Sequence, residues 1–104
     1  MKIDRDAVAV RHNEAEHRYE AWVAGRVAHL DYRRTGTTIY VTHTDVPAAL
    51  EGQGIASMLA QAALDDIAAQ HLTIVPLCPF VAGYIRTHPR YQPLVAAGYR
   101  IGHA

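Results

Sequence analysis

The chain has little with which to cross-link itself: among its 104 residues there is one cysteine, Cys78. An intramolecular disulfide and a cysteine zinc cluster are therefore both excluded. Surplus charge is also lacking, since ten Lys and Arg balance ten Asp and Glu. A neutral chain without a basic run lacks the electrostatic footprint of a nucleic-acid binder. No apolar stretch approaches the roughly 20 residues that span a bilayer. The opening Met1-Lys2-Ile3-Asp4-Arg5-Asp6 turns acidic where a signal peptide would turn apolar. Histidine is plentiful, with seven. Yet positions 12, 17, 29, 43, 71, 88 and 103 contain no helical i, i+4 pair and no His-x-His, which argues against a metal site. These absences point to a small cytoplasmic protein with no membrane or nucleic-acid partner.

What is present reads as one domain over residues 1–104, without repeat, low-complexity tract or linker. Ala7-Val8-Ala9-Val10 is a short strand-like run. Tyr19–Val23 and Arg26–Tyr32 flank Ala24-Gly25, the pattern of a tight hairpin. Thr37–Thr44 follows Thr35-Gly36 and is dense in β-branched residues, so it predicts a strand. The first half is thus an antiparallel meander. From Gly54 to Ala69 nearly every residue favours a helix. Ala56, Leu59, Ala60, Ala63 and Ile67 recur on one face, and Ser57, Gln61 and Asp65 on another. Leu72–Val75 predicts a buried strand, parallel to the one ending near Thr44 because a helix joins them. Cys78-Pro79-Phe80 opens a second helix through about Arg86, which His88-Pro89 ends. A helical turn and a terminal strand around Tyr99–Ile101 are expected to close the chain.

The loop Glu51-Gly52-Gln53-Gly54-Ile55-Ala56 carries the first functional signal. Glycines at a helix start admit a ligand close to the backbone, and unpaired N–H groups of the first turn can face an anion. A pyrophosphate gains charge-assisted hydrogen bonds there without a basic side chain. A P-loop would need Gly-Lys-Ser/Thr, and a dinucleotide fingerprint a third glycine. A plain turn with a close-packed helix start fits the same two glycines. Pro47 and Pro76 favour a cleft, because each removes a backbone donor near the C-terminal end of one of the two parallel strands. Strands that cannot pair at those ends splay, and such ends are where open α/β sheets take ligands.

His43-Thr44-Asp45-Val46-Pro47, the glycine loop, Cys78-Pro79-Phe80-Val81, Tyr84-Ile85 and His88-Pro89 together resemble the GNAT superfamily of N-acetyltransferases. More narrowly they resemble its small single-domain, YjdJ-type branch, from roughly Tyr19 to Tyr91. The superfamily loop pattern Gln/Arg-x-x-Gly-x-Gly/Ala is met except at its first position, which Glu51 occupies. The resemblance implies an α/β (α+β) minimal GNAT fold with a mixed sheet, two main helices and a splayed parallel strand pair. It implies an acetyl-CoA-dependent transfer of an acetyl group to an amine. Val46, Gly52, Gln53, Gly54, Ile55, Ala56 and Ser57 would then bind the cofactor. It also implies a functional pair of His43 and Cys78 beside the thioester, and a tyrosine, Tyr84, that protonates the departing thiolate. The short connection near Asn13–His17 leaves no room for the helices that line the acceptor site in larger members.

The residues add their own chemistry. A thiol at the N-terminus of a helix, as expected for Cys78, feels a positive potential that favours thiolate. His43, on the neighbouring strand, is expected to share its cleft. Two routes follow, direct attack by the amine with His43 as base, or prior transfer to Cys78. A non-catalytic CoA-binding module is the alternative from another class. The acceptor amine is not specified, and an exposed sheet edge leaves a monomer or a weak homodimer open.

Overall fold

A computed structural model describes residues 4–99. Five strands form one sheet in the order β1 (Val10–Asn13), β2 (Arg18–Val23), β3 (Arg26–Thr35), β4 (Thr38–Asp45) and β5 (Thr73–Pro76). The first three contacts are antiparallel, and β4–β5 is parallel across helix α1 (Ile55–Ala69). Helix α2 (Pro79–Thr87) follows β5, and a 3-10 turn at Pro89–Leu94 follows that. The β2–β3 hairpin turns on Ala24 and Gly25, whose φ values of 50° and 76° match the sense of twist between two antiparallel strands.

Three details differ from expectation. The first strand begins at Val10, because Asp4 holds the preceding residues in a 3-10 turn at Arg5–Ala7. Its side chain accepts from the Asp6 N–H (3.0 Å) and its carbonyl from Ala7 (3.0 Å). Such local side-chain bonding competes with strand pairing. On α1 the buried residues are Ile55, Leu59, Ala60, Ala63, Leu64 and Ile67, while Ala56 is only half-buried. At the C-terminus, Val95 bridges Ile74 in parallel sense, and Ala96 N–H donates to the Ile74 carbonyl (2.9 Å). Tyr99 lies outside any strand, and the rest of the expected segment, Arg100 and Ile101, lies outside the described residues.

Both helices pack on one face of the sheet. Tyr19, Ala21, Ala28, Leu30, Tyr32, Ile39, Val41 and Ile74 form a single core with the α1 stripe and with Val81 and Ile85 of α2. The opposite face carries Trp22, exposed, beside Glu20, which is buried in a bonded cluster. Arg18 Nε (2.7 Å), Trp22 Nε1 (3.2 Å) and Asn13 Nδ2 (3.1 Å) all donate to its carboxylate.

At the β1 edge, aromatic and polar groups tie the sheet to the far end of α1. Tyr19 donates to Asp66 (2.5 Å), His12 Nδ1 lies 3.3 Å from the same carboxylate, and His12 Nε2 lies 2.7 Å from the Tyr32 hydroxyl. The His12 and Tyr19 rings stack at 4.2 Å. Burial first, and then the Asp66 carboxylate, push the Tyr19 phenol far above its usual range and keep it a donor.

Candidate active site

At the other end, β4 outruns its partner. Pairing stops at Val41 with Pro76, whereas β4 continues to Asp45. Pro76 has no N–H to extend the ladder, and Leu77 turns its N–H back onto the Val75 carbonyl (3.1 Å). Cys78 N–H donates once more to Val41 (3.0 Å), and the chain then leaves as α2. The parallel strands are therefore splayed where β4 runs toward Val46 and Pro47.

After Pro47 a 3-10 turn at Ala48–Leu50 buries Leu50 completely beneath the loop. Gly52 and Gly54 then take φ values of 77° and 80°, which side-chain-bearing residues adopt only at a cost. Nothing lies within 4 Å of a methyl built on Gly52, so its backbone angle alone demands glycine there. Gly54 is the N-cap of α1 and offers no capping side chain. The first intrahelical bond runs from Met58 N–H to the Gly54 carbonyl (3.1 Å). The N–H groups of Ile55, Ala56 and Ser57 thus emerge uncapped, with no acidic residue in the first turn. An anion placed there meets several donors and the positive end of a fifteen-residue helix.

A cavity of about 250 Å³ opens in front of these groups. Val46, Gly52, Gly54, Ala56 and Ser57 line it, with Leu50 and Phe80 as apolar walls and Glu51 at the rim. Ile55 also lines it, but its side chain is 1 % exposed and belongs to the core, so it can offer only backbone. Gln53 is half-buried and stands outside the lining.

Cys78 sits at the N-cap of α2 with Pro79 first in the helix. The residue is 5 % exposed, and its thiol lies 3.4 Å from the Thr44 hydroxyl. His43 and Cys78 are not brought into contact. The cause is a bulge in β4: Tyr32 pairs with Val41 and Asp31 with His43, which leaves Thr42 as an extra residue. Past the bulge the alternation is inverted. Thr44, opposite Leu30, faces the helices and meets Cys78, while His43, opposite Asp31, joins the open face and is exposed.

Tyr84 is turned away from Cys78. Its ring stacks on His88 (3.8 Å, 14°) and approaches Phe80 and Tyr91. Burial raises its pKa, opposed by Arg90 and aided by Asp65. Sequence reasoning gave Thr44 no role of its own and took Tyr84 for a proton donor, without its stacking against Phe80 and His88. The bulge that delivers Thr44 has no marker residue, but the one-turn spacing of the three rings was readable. Among the described residues, no group of three or more His, Cys, Asp or Glu is placed to hold a metal ion, and no helix is long and apolar enough to cross a membrane.

A family model described as GCN5-related N-acetyl-transferase matches residues 18–94. Among curated proteins, Protein NATD1 of Xenopus tropicalis is 37 % identical over 57 residues, covering 55 % of this chain and 52 % of that protein. Protein NATD1 of Gallus gallus and of Homo sapiens are each 40 % identical over 52 residues, half of this chain. They are covered to 47 % and 46 % of their own lengths, so the chain spans about half the length of the curated relatives it matches.

Proposed function

The chain belongs to the GCN5-related N-acetyltransferase family, and from that premise we propose that it transfers an acetyl group from acetyl-CoA to an amine. The observation that carries this reading is the uncapped first turn of α1 behind two left-handed glycines, opening on the splayed end of β4 and β5. Gly52 to Ser57 hold the pyrophosphate through backbone donors, so Glu51 in place of a Gln or Arg costs a side-chain contact but not the site. The unpaired edge of β4 beyond Val41 offers backbone groups to the extended arm of the donor.

Acetyl-CoA supplies a thioester already activated toward nitrogen. The residues of the chain position it and move the proton. A backbone donor near Val46 polarises the carbonyl, in the manner of an oxyanion site. The acceptor approaches from the open face, where the Thr42 bulge presents His43 as base. Nitrogen bonds to the carbonyl carbon, the carbon–sulfur bond breaks, sulfur leaves as thiolate, and His43 takes the amine proton. Cys78 is buried against Thr44 on the helix side of β4. Since its neighbour is a hydroxyl rather than an imidazole, we favour direct transfer over a covalent Cys78 route. We assign Tyr84 no proton transfer. We read the chain as cytoplasmic, in line with its lone cysteine, and as a monomer or weak homodimer acting on a small-molecule amine or a protein lysine or N-terminus.

A thermal shift with CoA and acetyl-CoA tests the central claim. Ligand at 100 times its Kd stabilises by about 2.7 kcal/mol, and no shift removes the reading. Release of free CoA in the presence of an amine panel separates transfer from mere binding. Binding without release would make the chain a CoA-binding module, the alternative reading. An acetyl adduct on Cys78, seen by intact mass, would restore the covalent route.

A further inference from the structure

The open face surrounds His43 with ionisable neighbours. Past the bulge, β3 and β4 pair Asp31 with His43 and His29 with Asp45. Two imidazoles and two carboxylates therefore alternate at the corners of a square, so that each histidine adjoins an aspartate both along its strand and across it. Asp31 is held at two points. Its Oδ1 lies 2.8 Å from His29 Nδ1, and its carbonyl accepts from the hydroxyl of Thr42, the extra residue of the bulge (3.3 Å). Asp45 is held less closely, 3.7 Å from His29 Nε2. On β2, Arg18 stands opposite Asp31 and Glu20 opposite His29, but Arg18 turns along its own strand to Glu20 (2.7 Å). Arg33, two residues along β3, is opposite Tyr40. Side chains directly opposite on one face stand about 4.5–5.5 Å apart at Cβ. Oδ2 of Asp31 is thus within reach of His43, whose exposed ring can turn onto it. A groove of about 680 Å³ has Asp31, Arg33 and Thr42 in its wall, so this corner is open to a reactant.

We propose that Asp31, fixed by His29 and Thr42, is the positioning residue of the base, its carboxylate holding the His43 imidazole in one tautomer. The assignment rests on the reading of His43 as base given above. An ionised carboxylate only accepts, so the ring nitrogen turned to Asp31 carries its hydrogen and the other presents a lone pair to the acceptor. During attack the amine proton moves to that lone pair. His43 becomes an imidazolium, Asp31 stays ionised beside it, and the proton later leaves to solvent from the exposed ring. His29 acts one step further back, by keeping Oδ1 occupied and the carboxylate plane fixed.

Imidazole ¹⁵N spectra of the full chain, which need no substrate, and CoA release with a panel of primary alkylamines test this together. His43 should show one neutral tautomer in wild type and a mixture in Asp31→Asn, whose amide both donates and accepts. A positioned base contributes about 10²- to 10⁴-fold, so Asp31→Asn should lower kcat about 10- to 100-fold with KM for acetyl-CoA unchanged. His29→Ala should give a smaller loss in the same direction. His29→Asn, whose amide can donate to Asp31 in place of Nδ1, should restore it. The same tautomer balance in wild type and Asp31→Asn overturns the assignment, as does an Asp31→Asn chain with wild-type kcat. A change confined to KM for the amine also overturns it, by making Asp31 a binding group for the acceptor. A shifted tautomer in a protein whose wild type releases no CoA with any amine would instead sink the transfer reading, and the catalytic use of the pair with it.

Discussion

The two ends of the sheet treat polar groups in opposite ways. At the β1 edge every hydrogen-bonding atom of the tyrosine cluster is spoken for: Tyr19 and His12 share Asp66, and His12 reaches Tyr32. At the glycine-loop end Gly54 gives the first turn of α1 no capping side chain, and past Val41 β4 pairs with β3 but no longer with β5. Both ends belong to the same helix, separated by about three turns, or ~16 Å. The filled end fixes α1 against the sheet. The open end can therefore leave donors exposed without fraying, because the helix is anchored elsewhere. Satisfied polar groups mark the scaffold, and unsatisfied ones mark the site.

The contrast is most sharply broken at Gly54. Gly54→Val places a branched side chain at a φ of 80° in front of the cradle. CoA affinity should fall more than about 100-fold, since several charge-assisted bonds depend on that approach. The fold should lose only about 1–2 kcal/mol for the left-handed backbone. Calorimetric titration and chemical denaturation read the two quantities separately, and comparable losses in both would show that the loop is scaffold after all.

Tyr19→Phe is the mirror experiment. Removing a buried donor to a carboxylate should cost about 1.5–3 kcal/mol in urea denaturation, with CoA affinity unchanged. A tighter or weaker CoA titration in this variant would mean that the two ends are coupled through α1.

Glu20 gives a smaller, pH-dependent effect on the scaffold side. Arg18 foremost, with Trp22 and Asn13, holds its carboxyl at about 2, against the opposing effect of burial and a usual 4.5. Because the folded value lies below the unfolded one, the stability it contributes is complete above pH ~4.5 and lost as pH falls toward 2. The melting temperature of Glu20→Gln should therefore depend less on pH across that window than wild type does, and an unchanged profile would sink the assignment. The smallest expected change is at the open end. Glu51 is exposed at the rim of the cavity, so Glu51→Gln should tighten CoA about 2- to 5-fold at low salt, an effect that fades as salt is raised.

Much of this contrast is legible in the sequence. Ala24-Gly25, the β-branched run before Thr44, the alanine-rich helix and the two prolines each have a local cause, and the described fold follows them. The GNAT resemblance rests on His43–Pro47, the glycine loop, Cys78–Val81, Tyr84-Ile85 and His88-Pro89, and agrees with the family match over 18–94. Other features depend on partners distant in sequence. Thr42 looks like any strand residue, so a period-two reading carries His43 onto the face of Val41, and only pairing with β3 reveals the inversion. Asp66 reads as an exposed helix carboxylate until β1 and β2 bring His12 and Tyr19 to it. The orientation of Tyr84 depends on Tyr91 and Asp65, which no local pattern connects.

The bulge at Thr42 has a consequence for how this fold tolerates change. It separates the two sides of the cleft by a count of residues rather than by their identity. Deleting Thr42 would make the ladder regular and leave His43 on the open face and Thr44 on the helix side, whereas drawing Thr42 into the ladder would exchange the two. Substitutions along β4 therefore act locally, whereas a slip of the strand by one residue inverts which side chain faces the helices. In this strand, register against β3 is the property that variants must keep.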